Sequence, residues 1–206
     1  MKQGKEKQVQ PTSKKIEEGL SYSVEVRDKE GRVLQRISAP SRSFVQQWNQ
    51  IVNLQARQET EGVITDRYGT VWTSCDAYSS NLRADAGIGS LYGGLRVGRG
   101  STAVAITDIA LESPCDEGTG TDEFNHQANT FTVPVVVGTT CSFTIKRIFV
   151  NNSGATITVR ELGCETAFYV AMIRKDGLAF RDVLPGAVTV PHGGSITVTY
   201  TIAATV

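Results

Sequence analysis

The feature that most constrains this chain is the period-two alternation in its last third. In Ile196-Thr197-Val198-Thr199-Tyr200-Thr201-Ile202 the apolar side chains point one way and the threonines the other. That is the pattern of a strand with one buried and one wet face. Threonine on the wet face keeps such a strand soluble without loss of β propensity. Phe143, Ile145, Arg147 and Phe149 alternate with Thr144, Lys146 and Ile148 in the same way. Thr130–Val137 is rich in β-branched residues, and 156–160, 168–174 and 188–190 supply further strand segments. Turn chemistry predicts a hairpin at Asn151-Asn152-Ser153-Gly154, a turn at Lys175-Asp176-Gly177 and another over 191–195. Short strands with Gly, Pro and Asn turns predict a mainly β fold, an antiparallel sandwich or jelly-roll-like domain.

The first half adds other elements. Residues 1–20 carry five lysines, three glutamates and few large apolar side chains, so they read as a polar N-terminal arm, either a free tail or a tie to a neighbouring subunit. A single β-rich domain is expected over 21–206. Tyr22, Val24 and Val26 alternate with polar residues and lead through Lys29-Glu30-Gly31 into a return strand with Val33, Leu34 and Ile37. One amphipathic helix is predicted at about 43–57. Ser43 and Gln46 fit a capping box, and Phe44, Trp48, Ile51 and Val52 form its apolar stripe, with Gln46, Gln47, Asn49 and Gln50 elsewhere. A second hairpin is predicted at 60–75, turning at Asp66–Gly69. Residues 76–100, with six glycines from Gly87 to Gly100, read as a long loop holding a short strand at Leu95–Val97. The core strands of the sandwich follow from residue 130, and no internal repeat suggests a solenoid.

Composition excludes several classes. Hydrophobic residues make up 40% of the 206, enough to close a core. Lys+Arg and Asp+Glu are 21 each, so the basic excess of a nucleic-acid binder is missing, as is the self-repulsion that holds copies apart. No apolar run follows the charged start and no stretch is long enough to span a bilayer, so synthesis in a cytoplasm and no membrane partner are expected. Cys75, Cys115, Cys141 and Cys164 lie far apart without a C-x-x-C pair. They read as reduced, mostly buried thiols, with disulfides formed after release from the cell as the alternative.

Motifs that carry chemistry are sparse. Gly98-Arg99-Gly100-Ser101-Thr102-Ala103 matches G-x-G-x-x-A, yet Val104-Ala105-Ile106 does not open the helix that a pyrophosphate needs. The residues from Gly93 to Ser101 miss the lysine of a phosphate loop. The reading is a glycine-lined turn where backbones approach closely, and no cofactor is expected. His126 and His192 read as surface turn residues, without a partner constellation for nucleophilic catalysis. The stretch 108–123 is acidic, with Asp116, Glu117, Asp122 and Glu123 as candidate calcium ligands, although the spacing matches no named loop. The same carboxylates lack the aromatic platform of a glycosidase, since Phe124 stands alone.

Two segments, Gly94 to Cys115 (GLRVGRGSTAVAITDIALESPC) and Phe143 to Gly163 (FTIKRIFVNNSGATITVRELG), resemble tailed-bacteriophage virion proteins. The hairpin and helix upstream and the segment 181–202 fit the same resemblance, which covers about 20–206 in patches and rests on structural turns. Cys164 departs from it, standing where an apolar residue is implied. The resemblance implies a non-enzymatic structural subunit, such as a head decoration, neck or tail component, and supplies no catalytic residue. The implied partners are other virion proteins and copies of the chain itself, and the implied location is the virion. Candidate interface residues are Lys5, Lys7, Lys14 and Lys15 in the arm and Tyr92, Arg96 and Arg99 in the Gly-rich segment. The alternative is a receptor- or glycan-binding sandwich module of a tail tip or fibre, using exposed aromatics from Trp72, Tyr78, Tyr92 and Phe124.

Overall fold

The computed structural model of the chain describes residues 17–41, 43–57, 61–75 and 81–205. It is a mainly β structure of antiparallel sheets, open rather than closed into a barrel, with one short helix. The larger sheet runs β2 (Val33–Ser41), β1 (Glu17–Arg27), β12 (Ser195–Thr205) and β9 (Thr140–Val150). Three short pieces complete it along the far side of β9: β6 (Asn125–His126), β7 (Thr130–Phe131) and β8 (Val135–Val137). The second sheet is β11 (Ile173–Val190), β10 (Ile157–Val170) and β5 (Leu95–Gly98), and β3 (Glu61–Thr65) and β4 (Val71–Ser74) form a separate hairpin.

Alternation explains the core. Val24, Val26, Ile145, Phe149, Ile196, Val198 and Tyr200 face inward from the larger sheet. They meet Leu95, Val97, Ile157, Val159, Leu162, Phe180, Val188 and Val190 of the second. Each such side chain, fully withdrawn from water, contributes about 1.5–3 kcal/mol. A smaller core of Ile51, Ile64, Cys75, Phe168 and Val170 lies under the β3–β4 hairpin.

Several local expectations need correction. Residues 17–20 belong to β1, paired with Ala203–Thr205 and Ile202 of β12, rather than to an arm. The turn at Asn151–Gly154 does not close a hairpin. It arches from β9 in one sheet to β10 in the other, and residues 191–194 make the matching arch from β11 to β12. Asn151 ties the arches together. Its side chain donates to Val190 O and Ala155 O at 2.8 Å, while its N–H donates to Gly194 O at 2.9 Å. The long hairpin turns at Ala171-Met172, not at Lys175-Asp176-Gly177. Both turn residues take positive φ (47° and 64°) without being glycine, and Asp176 pairs with Ala167 inside the ladder. The Val-rich run after Thr130 is not one strand, because Pro134 separates β7 from β8.

The helix, α1 (Gln46–Arg57), starts three residues past Ser43. Ser43 bonds Ser41 at 2.7 Å instead of capping it. Main-chain carbonyls take that role, with Val45 N–H on Ala179 O and Gln46 N–H on Ile106 O, both at 3.0 Å. The helix packs on two sides, against β3 and against β11. Phe44 and Trp48 meet the main core, Ile51 meets the small one, and Gln47 is buried between, donating to Thr65 O. Val52 faces solvent. Cys75, Cys115 and Cys164 are buried and Cys141 is exposed.

Candidate functional site

Residues 81–129 hold little regular structure, and buried charges fold them onto the second sheet. Glu161 on β10 is fully buried. Its carboxylate accepts from Gly100 N–H at 2.9 Å, Ser113 N–H at 2.7 Å and Glu112 N–H at 3.0 Å. It also receives Arg181 Nε from β11 at 2.8 Å. Arg181 extends to Asp108 Oδ2 at 2.9 Å and Thr102 O at 3.2 Å. Glu112 closes the turn by accepting from Ser101 and Thr102 N–H. One buried ion pair therefore collects both the glycine-rich and the acidic loop. Gly98 and Gly100 permit it: a Cβ on Gly98 would lie 2.6 Å from Ser113 O, and one on Gly100 would collide with Glu112 and Glu161.

Arg147 of β9 points inward, as its alternation requires, and meets carbonyls. It donates to Gln127 O, Leu95 O, Gly87 O and Ser90 O at 2.7–3.2 Å. Burial, and then the nearby Arg96, pull its pKa down to about 10, so it stays charged at neutral pH. Beside it, His126 is buried edge-on to Phe149 with both ring nitrogens lacking a hydrogen bond. Burial first, then Arg147 and Arg96, push its pKa down to about 3. It is a neutral core residue rather than the surface histidine expected.

Two outer features are accessible. One is a cavity of about 350 Å³ lined by Asp66, Tyr68, Tyr92, Arg174, Lys175 and Asp176. Arg67 sits under its two rings, with the guanidinium carbon 4.9 Å from the Tyr68 centroid and 4.8 Å from that of Tyr92. Arg67 is fixed by Glu165 Oε2 at 2.6 Å and Leu91 O at 3.0 Å. Burial lowers the Arg67 pKa, but Glu165 and Tyr68 outweigh that and hold it above its ordinary value. Asp66 locks the hairpin turn by accepting from Tyr68 N–H, Thr70 N–H and Trp72 Nε1.

The other feature is the free edge of the larger sheet. Phe131, Val133, Val135, Val136 and Val137 are all exposed, Val133 to 76% and Val137 to 74%. The stretch from Thr130 to Phe143 contains no charged residue. β8 pairs with β9 alone among the described residues. Beside this edge runs an apolar groove of about 280 Å³ lined by Phe44, Trp48, Pro134, Cys141, Phe143 and Ile202, among others.

No family model, curated protein or solved structure matches the chain. The site residues are therefore placed by geometry alone. Lys5, Lys7, Lys14 and Lys15 lie outside the described residues, as does Tyr78. Tyr92 is exposed. Arg96 is not: it is buried, bonded to Leu91 O at 2.8 Å and Cys115 O at 3.2 Å, because β5 lies inside the fold. Arg99 reaches the surface, paired to Asp122 at 2.6 Å. The four calcium candidates are separated in use. Asp116 faces Arg96 at 3.6 Å, Glu117 accepts from His126 N–H, Asp122 holds Arg99, and Glu123 accepts from Gly120 N–H. Among the described residues no group of three or more His, Cys, Asp or Glu is placed to hold a metal. Phe124 is core, and Trp72 is half-buried under Lys175 Nζ, 4.4 Å from its ring. The sequence reading did not single out Arg67, Tyr68, Arg174, Glu161 or Arg181. The one signal that could have found them is a tyrosine, Tyr68, at the tip of the predicted hairpin.

Proposed function

We propose that this chain is a non-enzymatic structural subunit of a phage-type particle, packed against copies of itself and other virion proteins. The observation that carries the self-association is the uncharged valine edge at 131–137. Free sheet edges are ordinarily guarded by charge, bulges or covering elements, because an open apolar edge templates pairing with another chain. Here Pro134 is the guard, flanked by exposed apolar side chains. Such an edge suits a surface that is covered in an assembly. The zero net charge favours close packing of copies. The ionic pinning of the loops gives neighbouring subunits fixed rather than yielding contact surfaces. The resemblance of 94–115 and 143–163 to virion proteins supplies the kind of particle.

The test is native mass of the full chain, of Val135→Lys/Val137→Lys, and of a form lacking residues 1–16. A multimer that dissociates when the edge is charged supports the reading, and dissociation on truncation adds the arm as a second tie. A full chain that stays monomeric at about 100 μM, about a hundred times the Kd of a micromolar contact, overturns self-association through this edge.

A further inference from the structure

We propose that the cavity between the β3–β4 hairpin and the tip of the long β10–β11 hairpin is a saccharide-binding site, selective for a sugar that carries a carboxylate. The inference is independent of the subunit reading and of the valine edge.

The first argument is the cost of its construction. Tyr68 is 72% exposed and Tyr92 48% exposed, yet neither ring is left loose. Both lie against the guanidinium of Arg67, which also donates to the Tyr68 hydroxyl at 3.0 Å. Arg67 is itself anchored by the buried Glu165. Its backbone N–H donates to Asp176 O at 3.0 Å and joins the hairpin turn to β11. Two aromatic faces from separate parts of the chain are thus held at one opening by a buried ion pair. Rigid exposed rings of this kind lose little freedom when they bind.

The second argument is the chemistry of the walls. Tyrosine offers an apolar face and a polar tip, matching the alternating C–H and hydroxyl surfaces of a pyranose. The half-buried Arg174 and the Asp176 carboxylate, 3.0 Å apart, provide a donor and an acceptor side by side for hydroxyl groups. Lys175 rests on the Trp72 ring and pairs with no carboxylate among the described residues. Its charge is therefore available to an anionic substituent. The Asp66 carboxylate keeps its negative charge, but its lone pairs are taken up by three donors of its own hairpin turn, which leaves Lys175 as the cation without a carboxylate partner of its own among the described residues. The volume, about 350 Å³, lies at the lower end of small-ligand pockets, roughly 300–1,000 Å³. A flat protein partner would leave this concavity unfilled, which favours a small polyhydroxylated ligand.

The experiment is isothermal titration of the full chain with a hyaluronan tetrasaccharide, a mannuronate tetrasaccharide and 3′-sialyllactose, with maltotetraose as the neutral control. At least one acidic probe should bind about tenfold or more tightly than the control. Tyr92→Ala and Tyr68→Ala should each weaken that probe by about tenfold, the loss of one stacking face. Lys175→Gln should remove the preference for the acidic probe while leaving the neutral one unchanged. These residues are partly exposed, so unchanged melting temperatures separate loss of binding from loss of fold. No binding of any acidic probe at about 1 mM, the weak limit of useful affinity, overturns the proposal. So does equal affinity for acidic and neutral probes, or full binding by both tyrosine variants.

Discussion

Removing the charge at Glu161 is the sharpest perturbation of the architecture. Glu161→Gln keeps the shape and one acceptor oxygen but replaces the other oxygen by an NH₂ group. In the wild type Oε1 receives Gly100 and Ser113 N–H while Oε2 receives Glu112 N–H and Arg181 Nε. Whichever way the amide is oriented, a donor then faces donors at one end. Arg181, 2% exposed, keeps Asp108 but loses its fully buried counter-ion. Breaking one side of a buried pair costs about 3–5 kcal/mol. Each backbone N–H orphaned by the amide contributes about 1–3 kcal/mol towards that cost. For a chain of this size one kcal/mol is worth about 2–4 °C, so Tm should fall by about 6–20 °C. Urea unfolding followed by circular dichroism gives the free energy, and limited proteolysis should show new cleavage within 98–114. A loss below about 1 kcal/mol, the level of an exposed pair, with 98–114 still protected, would refute the view that this ion pair holds the loops.

Two further outcomes follow from the same interior. His126 is buried neutral, with its folded pKa near 3 against an ordinary 6.5. The stability this gives is complete above about pH 6.5 and is lost as pH falls towards 3, about 5 kcal/mol in all at about 1.4 kcal/mol per unit. Asp176 and Asp182, raised by burial, act oppositely at acid pH, so the measurement is the stability of wild type minus that of His126→Phe, which should hold level from pH 7 to about 6.5 and then fall steadily towards pH 3. Gly98→Ala should cost about 1–3 kcal/mol in urea unfolding by forcing a methyl group against Ser113 O, whereas Gly186→Ala, with open space around it, should be neutral or slightly stabilising.

The strands were readable wherever one face is buried. Ile196–Ile202 and Phe143–Phe149 hold their predicted alternation, and even Arg147 lies on the inward face that its neighbours assign to it. Pairing was less readable, because turn chemistry is local. Asn151-Asn152-Ser153-Gly154 turns the chain as expected, but nothing in four residues says whether the next strand joins the same sheet or the opposite one. Ala171 and Met172 hid the true hairpin tip, since neither advertises positive φ, while the Asp176-Gly177 pair advertised a turn that the ladder overrides. The helix stripe failed at Gln47 and Val52 because α1 is packed on two sides. The cavity was partly visible: Tyr92 was in view, as was Trp72 beneath Lys175, but Arg67, Arg174 and Asp176 join them only through tertiary docking.

The buried cations explain how a long irregular region is kept in place. A loop of some fifty residues cannot fill its backbone hydrogen bonds with a ladder, and each buried carbonyl without a donor is costly. Arg96, Arg147 and Arg181 project from β5, β9 and β11 into this region. Between them they donate to the carbonyls of Gly87, Ser90, Leu91, Leu95, Thr102, Cys115 and Gln127. Glu161 performs the converse service for N–H groups. Apolar replacements could fill the same volume, yet they would leave those carbonyls unmet, so the loops would no longer have one preferred path. The strands thus carry the instructions for the loops, and the accessible surface at Tyr92 inherits its position from buried charges.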